Sequence, residues 1–101
     1  FAHKLIAMLE RKKIANRDIF DVYHFLKNNW NIDKNIVELR SGLTLVEYLK
    51  KCITFVEKIN EKRILNGIGE LLDEKTKNWV RIHLKSETLF LLKLTLKNNQ
   101  T

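Results

Sequence analysis

The chain has 101 residues, 45% of them apolar and 31% charged, with a net charge of +7. That leaves room for one modest core and not two, carries too much Leu, Ile, Phe and Val for a disordered tail, and holds no apolar run near the roughly 18 residues of a membrane span. The excess of 19 Lys and Arg over 12 Asp and Glu invites a nucleic-acid reading. Yet Lys27, Lys50, Lys58, Lys75, Lys85 and Lys93 fall along helix backs among Glu, the pattern of a solvated surface. The chain opens on Phe1 with neither an initiator Met nor a basic-then-apolar leader, as expected of a piece of a longer chain. Cys52 has no second cysteine to pair with and falls on an apolar helix face, so a buried, inert thiol in a reducing cytoplasm is expected.

Apolar residues recur at three- and four-residue steps, Pro is absent and Gly is rare, so helices are predicted throughout and no strand. Phe1, Leu5, Met8 and Leu9 mark a first amphipathic helix that fades near Lys13. Asn16 is the expected N-cap of a second, whose apolar positions Ile19, Val22, Tyr23, Phe25 and Leu26 run on to Asn28 and Asn29. A short third helix is predicted from Asp33, as cap, to Arg40, with Gly42 just beyond its end. Thr44-Leu45-Val46-Glu47 has the form of a capping box, in which hydroxyl and carboxylate each satisfy a free backbone N–H. Leu45, Leu49, Cys52, Ile53, Val56 and Ile59 then mark a helix of about twenty residues.

Asn66-Gly67-Ile68-Gly69 breaks the pattern and is predicted to be a turn or hinge. Two further helices are expected, one after Asp73 with Trp79, Val80, Ile82 and Leu84, and one after Ser86 with Leu89 through Leu96. The last is apolar nearly all round, as befits a central helix or a face that meets another domain. The expectation is an all-α fold, a single bundle of about five or six helices over residues 1–101, with Leu5, Leu9, Phe25, Leu49, Ile53, Val56 and Trp79 in its core.

Chemistry-bearing side chains gather in the first 26 residues. At 100° per residue Lys4 and Arg11 lie about 20° apart on the edge of the first helix, with Ala7 between them keeping that edge open. In the second helix Arg17, Asp21 and His24 share a polar stripe opposite the apolar arc, with Asp18 flanking it. If the two helices pack together, two cations and two carboxylates meet at one cleft. Each also has a plain reading. Asp18 complements the helix dipole, Arg17 with Asp21 is a surface pair, and Lys4 and Arg11 are solvated charges. His3, His24 and His83 have no metal-ligand spacing to one another or to Cys52, and Gly67 and Gly69 are too few to cradle phosphate.

Lys4-Leu5-Ile6-Ala7-Met8-Leu9-Glu10-Arg11, followed by Arg17-Asp18-Ile19-Phe20-Asp21-Val22-Tyr23, resembles the K-L-x-A-L-x-x-R … R-D-x-x-D-L segment of AbiEii-type nucleotidyltransferases. These are the toxin halves of type IV toxin–antitoxin and phage-defence systems. Met8 and Val22 stand where Leu is usual, and the specific match covers about a quarter of the chain. The resemblance implies that the chain is the helical C-terminal domain of such an enzyme, without the N-terminal sheet domain whose Gly-Ser motif and paired carboxylates hold Mg2+ and nucleoside triphosphate. It implies catalytic roles for Lys4, on the triphosphate, and Asp18, the acid needed for transfer, with Arg11, Arg17 and Asp21 orienting the nucleotide. The implied partners are the N-terminal nucleotidyltransferase domain, a cognate antitoxin and an acceptor such as tRNA or protein, with no membrane. By itself the piece is expected to be inactive. Two other classes stay open: a helical nucleic-acid-binding module, which predicts Lys and Arg gathered on one exposed face, and an antitoxin-docking interaction module, which would account for the apolar last helix.

Overall fold

A computed structural model describes residues 2–10, 16–29, 31–65 and 68–99. Among the described residues the chain is helical with no strand, as the periodicity predicts. Helix α1 (Ala2–Glu10) buries Ala2, Leu5, Ile6 and Met8, and α2 (Asn16–Lys27) buries Ile19, Val22, Tyr23 and Leu26. In both, three- and four-residue spacing aligns the apolar side chains on one face, and those faces meet. Helix α2 stops where Asn29 turns to a φ of 57°, a left-handed conformation that Asn tolerates better than other side-chain-bearing residues. The carboxylate of Asp33 accepts the Ile36 N–H and opens α3 (Lys34–Ser41), which Gly42 closes at a φ of 72°, its own N–H donating to Glu38 O.

The capping box forms as predicted. Thr44 Oγ1 accepts the Glu47 N–H at 3.1 Å, and Glu47 Oε1 accepts the Thr44 N–H at 3.2 Å. The Thr44 N–H, followed by the Thr44 hydroxyl donating to the same Oε1 at 3.0 Å, holds the Glu47 carboxyl below the usual carboxylate range. Helix α4 (Leu45–Glu57) is shorter than its apolar pattern predicts, at 13 residues. The chain turns at Asn60, whose side-chain Oδ1 accepts the Lys62 N–H and caps a 3-10 turn, Glu61–Arg63, in place of further α-helix. A second 3-10 turn, Gly69–Leu71, follows the predicted hinge, of which Asn66 and Gly67 lie outside the described residues.

Asp73 caps α5 (Glu74–Trp79) through the Thr76 N–H. The predicted break before Ser86 does not occur. A π-helical stretch, Val80–Leu84, carries α5 directly into α6 (Lys85–Asn99), and Ser86 donates its hydroxyl to His83 O from within that continuous helix. Helix α6 packs against α4 and α2, so it is central in the packing, but it is not buried all round. Leu92 and Thr88 are fully buried, while Phe90 is 63% and Leu94 44% exposed on the far side.

The core runs through Leu5, Ile6, Ile19, Val22, Val37, Leu49, Cys52, Val56, Ile64, Val80, Leu84 and Leu92. Of the expected core residues, Leu5, Leu49, Ile53 and Val56 are buried, whereas Leu9, Phe25 and Trp79 are half-buried at its margin. A radius of gyration of 13.3 Å matches the about 13 Å of a close-packed 100-residue domain, so the helices form one body. Among the described residues no helix is long and apolar enough to cross a membrane.

Two consequences of burial are measurable. Thr88 is 0% exposed, and its hydroxyl has no hydrogen-bond partner among the described residues. A buried donor left unsatisfied costs about 1–3 kcal/mol. Thr88→Val, which keeps the shape and removes the hydroxyl, is therefore expected to raise the melting temperature by about 4 °C or more, and calorimetry showing a decrease would mean the hydroxyl is satisfied. Burial also pushes the Cys52 thiol from its ordinary 9.0 up to about 12. The native thiol is thus expected to resist an aromatic disulfide reagent at pH 8 until the chain unfolds. Because the folded state holds the proton longer, this contribution is complete below about pH 9 and is lost as pH climbs toward 12.

Candidate functional site

Lys4 stands on the half-exposed edge of α1, directly before the buried Leu5 and Ile6, and α2 presents two carboxylates to it. Its Nζ lies 3.0 Å from Asp18 Oδ1 and 2.9 Å from Asp21 Oδ2. Three residues that sequence reasoning placed on two separate helices thus meet at one ammonium. The spacing of 18 and 21 explains how: residues three apart on a helix are neighbours on its surface, so one cation can bridge both. Hydrogen bonds from Lys4 to Asp21 and then to Asp18 hold its ammonium above the usual lysine range, against the opposing effect of burial.

The two carboxylates are not equivalent. The Asp18 side chain is 2% exposed and that of Asp21 is 30% exposed, with Lys4 at 31%. Asp18 was expected to flank an exposed polar stripe; instead it is buried in the first turn of α2, with Lys4 of α1 at its Oδ1. The cluster is therefore layered, with an anchoring carboxylate inside, an ammonium over it, and a second carboxylate at the solvent edge. Neighbouring Asn16 donates its amide to Arg63 O at 2.8 Å, which ties the start of α2 to the 3-10 turn after α4.

Of the other expected site residues, Arg17 is exposed at the start of α2, and the Asp21 carboxylate it was expected to pair with is held by Lys4. Arg11 lies outside the described residues. His24 is exposed on α2, as its place on the polar stripe predicts, and stands edge-on to Phe20, with ring centroids 4.4 Å apart. The Asp18–Asp21 pair does not suit a divalent metal, because the Lys4 ammonium already occupies the position between the two carboxylates. Among the described residues no group of three or more His, Cys, Asp or Glu is arranged to hold one.

Sequence reasoning missed a basic groove. Arg40 at the end of α3 and Lys50, Lys51 and Lys58 along α4 line an open groove of about 670 Å³ floored by Leu9, Leu43 and Phe55. Arg40 is fixed there from both sides, donating to His3 Nδ1 at 3.0 Å and reaching Glu10 Oε2 at 3.5 Å. The signal was present as Lys50, Lys51 and Lys58 at helical spacing, but reading each lysine as a solvated back concealed that they share a face. Lys50 and Lys58 are exposed as expected, but Lys85 is no solvated back: half-buried, it donates to Ile59 O at 2.9 Å and pins α6 to the end of α4. No protein-family model matches the chain, and neither does a curated protein or a solved structure.

Proposed function

We propose that the chain is the helical C-terminal part of a nucleotidyltransferase of the AbiEii type, in which the Lys4–Asp18–Asp21 cluster serves nucleotide transfer from a nucleoside triphosphate to an acceptor such as tRNA or protein. The observation that carries the reading is the joint contact of Lys4 with both carboxylates, because these are residues on which the sequence resemblance rests and they come from separate helices. In this reading a phosphate oxygen of the triphosphate displaces Asp21 from Lys4, and Asp18 keeps the ammonium in place from below. The released Asp21 carboxylate takes the proton of the acceptor hydroxyl as its oxygen attacks the α-phosphorus. The bond from that phosphorus to the bridging oxygen breaks, and pyrophosphate leaves. Asp18 is then a positioning residue, and Lys4 and Asp21 touch the reactants.

The Mg2+ and the Gly-Ser motif of the family would belong to a sheet domain outside this chain. The exposed side of α6 at Phe90 and Leu94 supplies an apolar surface for that domain or for an antitoxin. The test is to incubate the full-length protein with Mg2+, each α-labelled nucleoside triphosphate in turn, and tRNA. Label appearing on the tRNA or on a protein supports the reading, and no transfer to any acceptor from any nucleotide opposes it. A second reading, a helical nucleic-acid-binding module, is favoured by the basic groove of Arg40, Lys50, Lys51 and Lys58 and needs neither Asp18 nor Asp21.

A further inference from the structure

We infer that the cleft between α2 and α5 takes a nucleobase together with its phosphate. The cleft has a volume of about 430 Å³, within the range of small-ligand sites, and Phe20, Tyr23, His24 and Trp79 line it with Lys27 and Lys75. Its aromatic rings form a continuous series. Phe20 meets His24 at 4.4 Å, His24 meets Tyr23 at 5.3 Å, Tyr23 meets Trp79 at 4.8 Å, and Trp79 meets His83 at 5.9 Å. Successive bases stack on such surfaces because every base has a π-face, and flanking cations follow the phosphates.

An aromatic cluster that served only packing would bury its rings. Here Tyr23 alone is buried; Phe20 and Trp79 are half-exposed, and His24 and His83 are exposed. Lys27 stands 5.6 Å from the centre of the Tyr23 ring, so a cation already sits at the edge of the stacking surface. No carboxylate lines the cleft among the described residues, and the nearest acid along α2, Asp21, is held by Lys4. The charge of the site is therefore positive and available to an anion.

The backbone supplies an independent sign. The π-helical stretch begins at the residue after Trp79, and π turns are rare and recur at functional sites. Val80 and Leu84 bury themselves from this stretch, while Trp79, half-exposed, meets Tyr23 of α2 and has the exposed His83 beside it. The site is distinct from the transfer cluster, and its occupancy is read without any turnover, so it stands or falls separately from the proposed reaction.

Three ligands test it on the 101-residue chain by NMR: adenosine 5′-monophosphate, ribose 5-phosphate and a single-stranded hexa-adenylate. The adenosine monophosphate is expected to shift the Trp79 indole N–H and the His24 ring protons saturably, and ribose 5-phosphate at equal concentration to leave them in place. Trp79→Leu is expected to weaken binding about tenfold or more, Trp79→Phe to keep it within about threefold, and Lys27→Gln or Lys75→Gln to weaken it several-fold. Both lysines are exposed, so those two variants remain informative if Trp79→Leu does not fold. Hexa-adenylate binding tenfold tighter than the mononucleotide assigns the cleft to a strand, and equal binding assigns it to a free nucleotide. The inference is overturned if ribose 5-phosphate shifts the same signals equally, or if the nucleotides move only Lys50, Lys51 and Lys58.

Discussion

Lys4→Ala is expected to destabilise the 101-residue chain by about 2–3 kcal/mol, which for a domain of this size lowers the melting temperature by roughly 10 °C. The cost lies in what remains. Asp18, with a side chain 2% exposed, would stay inside the bundle after losing the ammonium that lies 3.0 Å from its Oδ1. Removing one partner of a fully buried ion pair costs about 3–5 kcal/mol, and the 31% exposure of Lys4 places this pair below that range. Lys77 provides the comparison: at 28% exposure it is as covered as Lys4, but its partner Glu74, 3.3 Å away, is 84% exposed, so Lys77→Ala leaves no buried carboxylate behind and is expected to change the melting temperature little. Adding Asp18→Asn to Lys4→Ala removes the buried charge that Lys4 faced and is expected to recover part of the loss. Equal melting of the Lys4 and Lys77 variants would show that the cluster holds nothing in place.

On the proposed reading, Asp21→Asn in the full-length protein is expected to lower the rate of nucleotide transfer by about a hundredfold or more, the usual contribution of a positioned proton acceptor. Stability is expected to move by less than about 1 kcal/mol, because the Asp21 side chain is 30% exposed and water replaces much of what it loses. Single-turnover measurement with saturating nucleotide separates this from a binding defect. Unchanged transfer in Asp21→Asn would remove the solvent-side carboxylate from the reaction.

The helical class was legible because 3.6-residue periodicity and local caps are properties of short stretches. Asp33, Thr44 with Glu47, Gly42 and Asp73 all act where the sequence puts them. Less legible were features decided by neighbours distant in the chain. Ser86 looks like a helix start, yet the preceding π turn leaves the backbone continuous, and no side-chain pattern announces that turn. Asp18 follows Arg17 and precedes Ile19, so a helical wheel of α2 alone leaves it on the flank of the polar stripe; only the folded chain shows that it is buried, with Lys4 of α1 at its Oδ1. For the same reason Phe20, Tyr23, His24 and Trp79 read as core or stripe residues until α5 is laid against α2.

Nucleotide transfer by the Lys4→Ala, Asp18→Asn double variant tests the central claim most directly, because it uncouples the cluster's charge from its effect on the fold. The double variant is more stable than Lys4→Ala alone but has no cation to meet the triphosphate. If Lys4 acts in transfer, the rate stays at least about a hundredfold below that of the unmodified enzyme even where the melting temperature has recovered. If transfer returns together with stability, the Lys4–Asp18–Asp21 cluster is a structural ion network and the chemistry lies elsewhere.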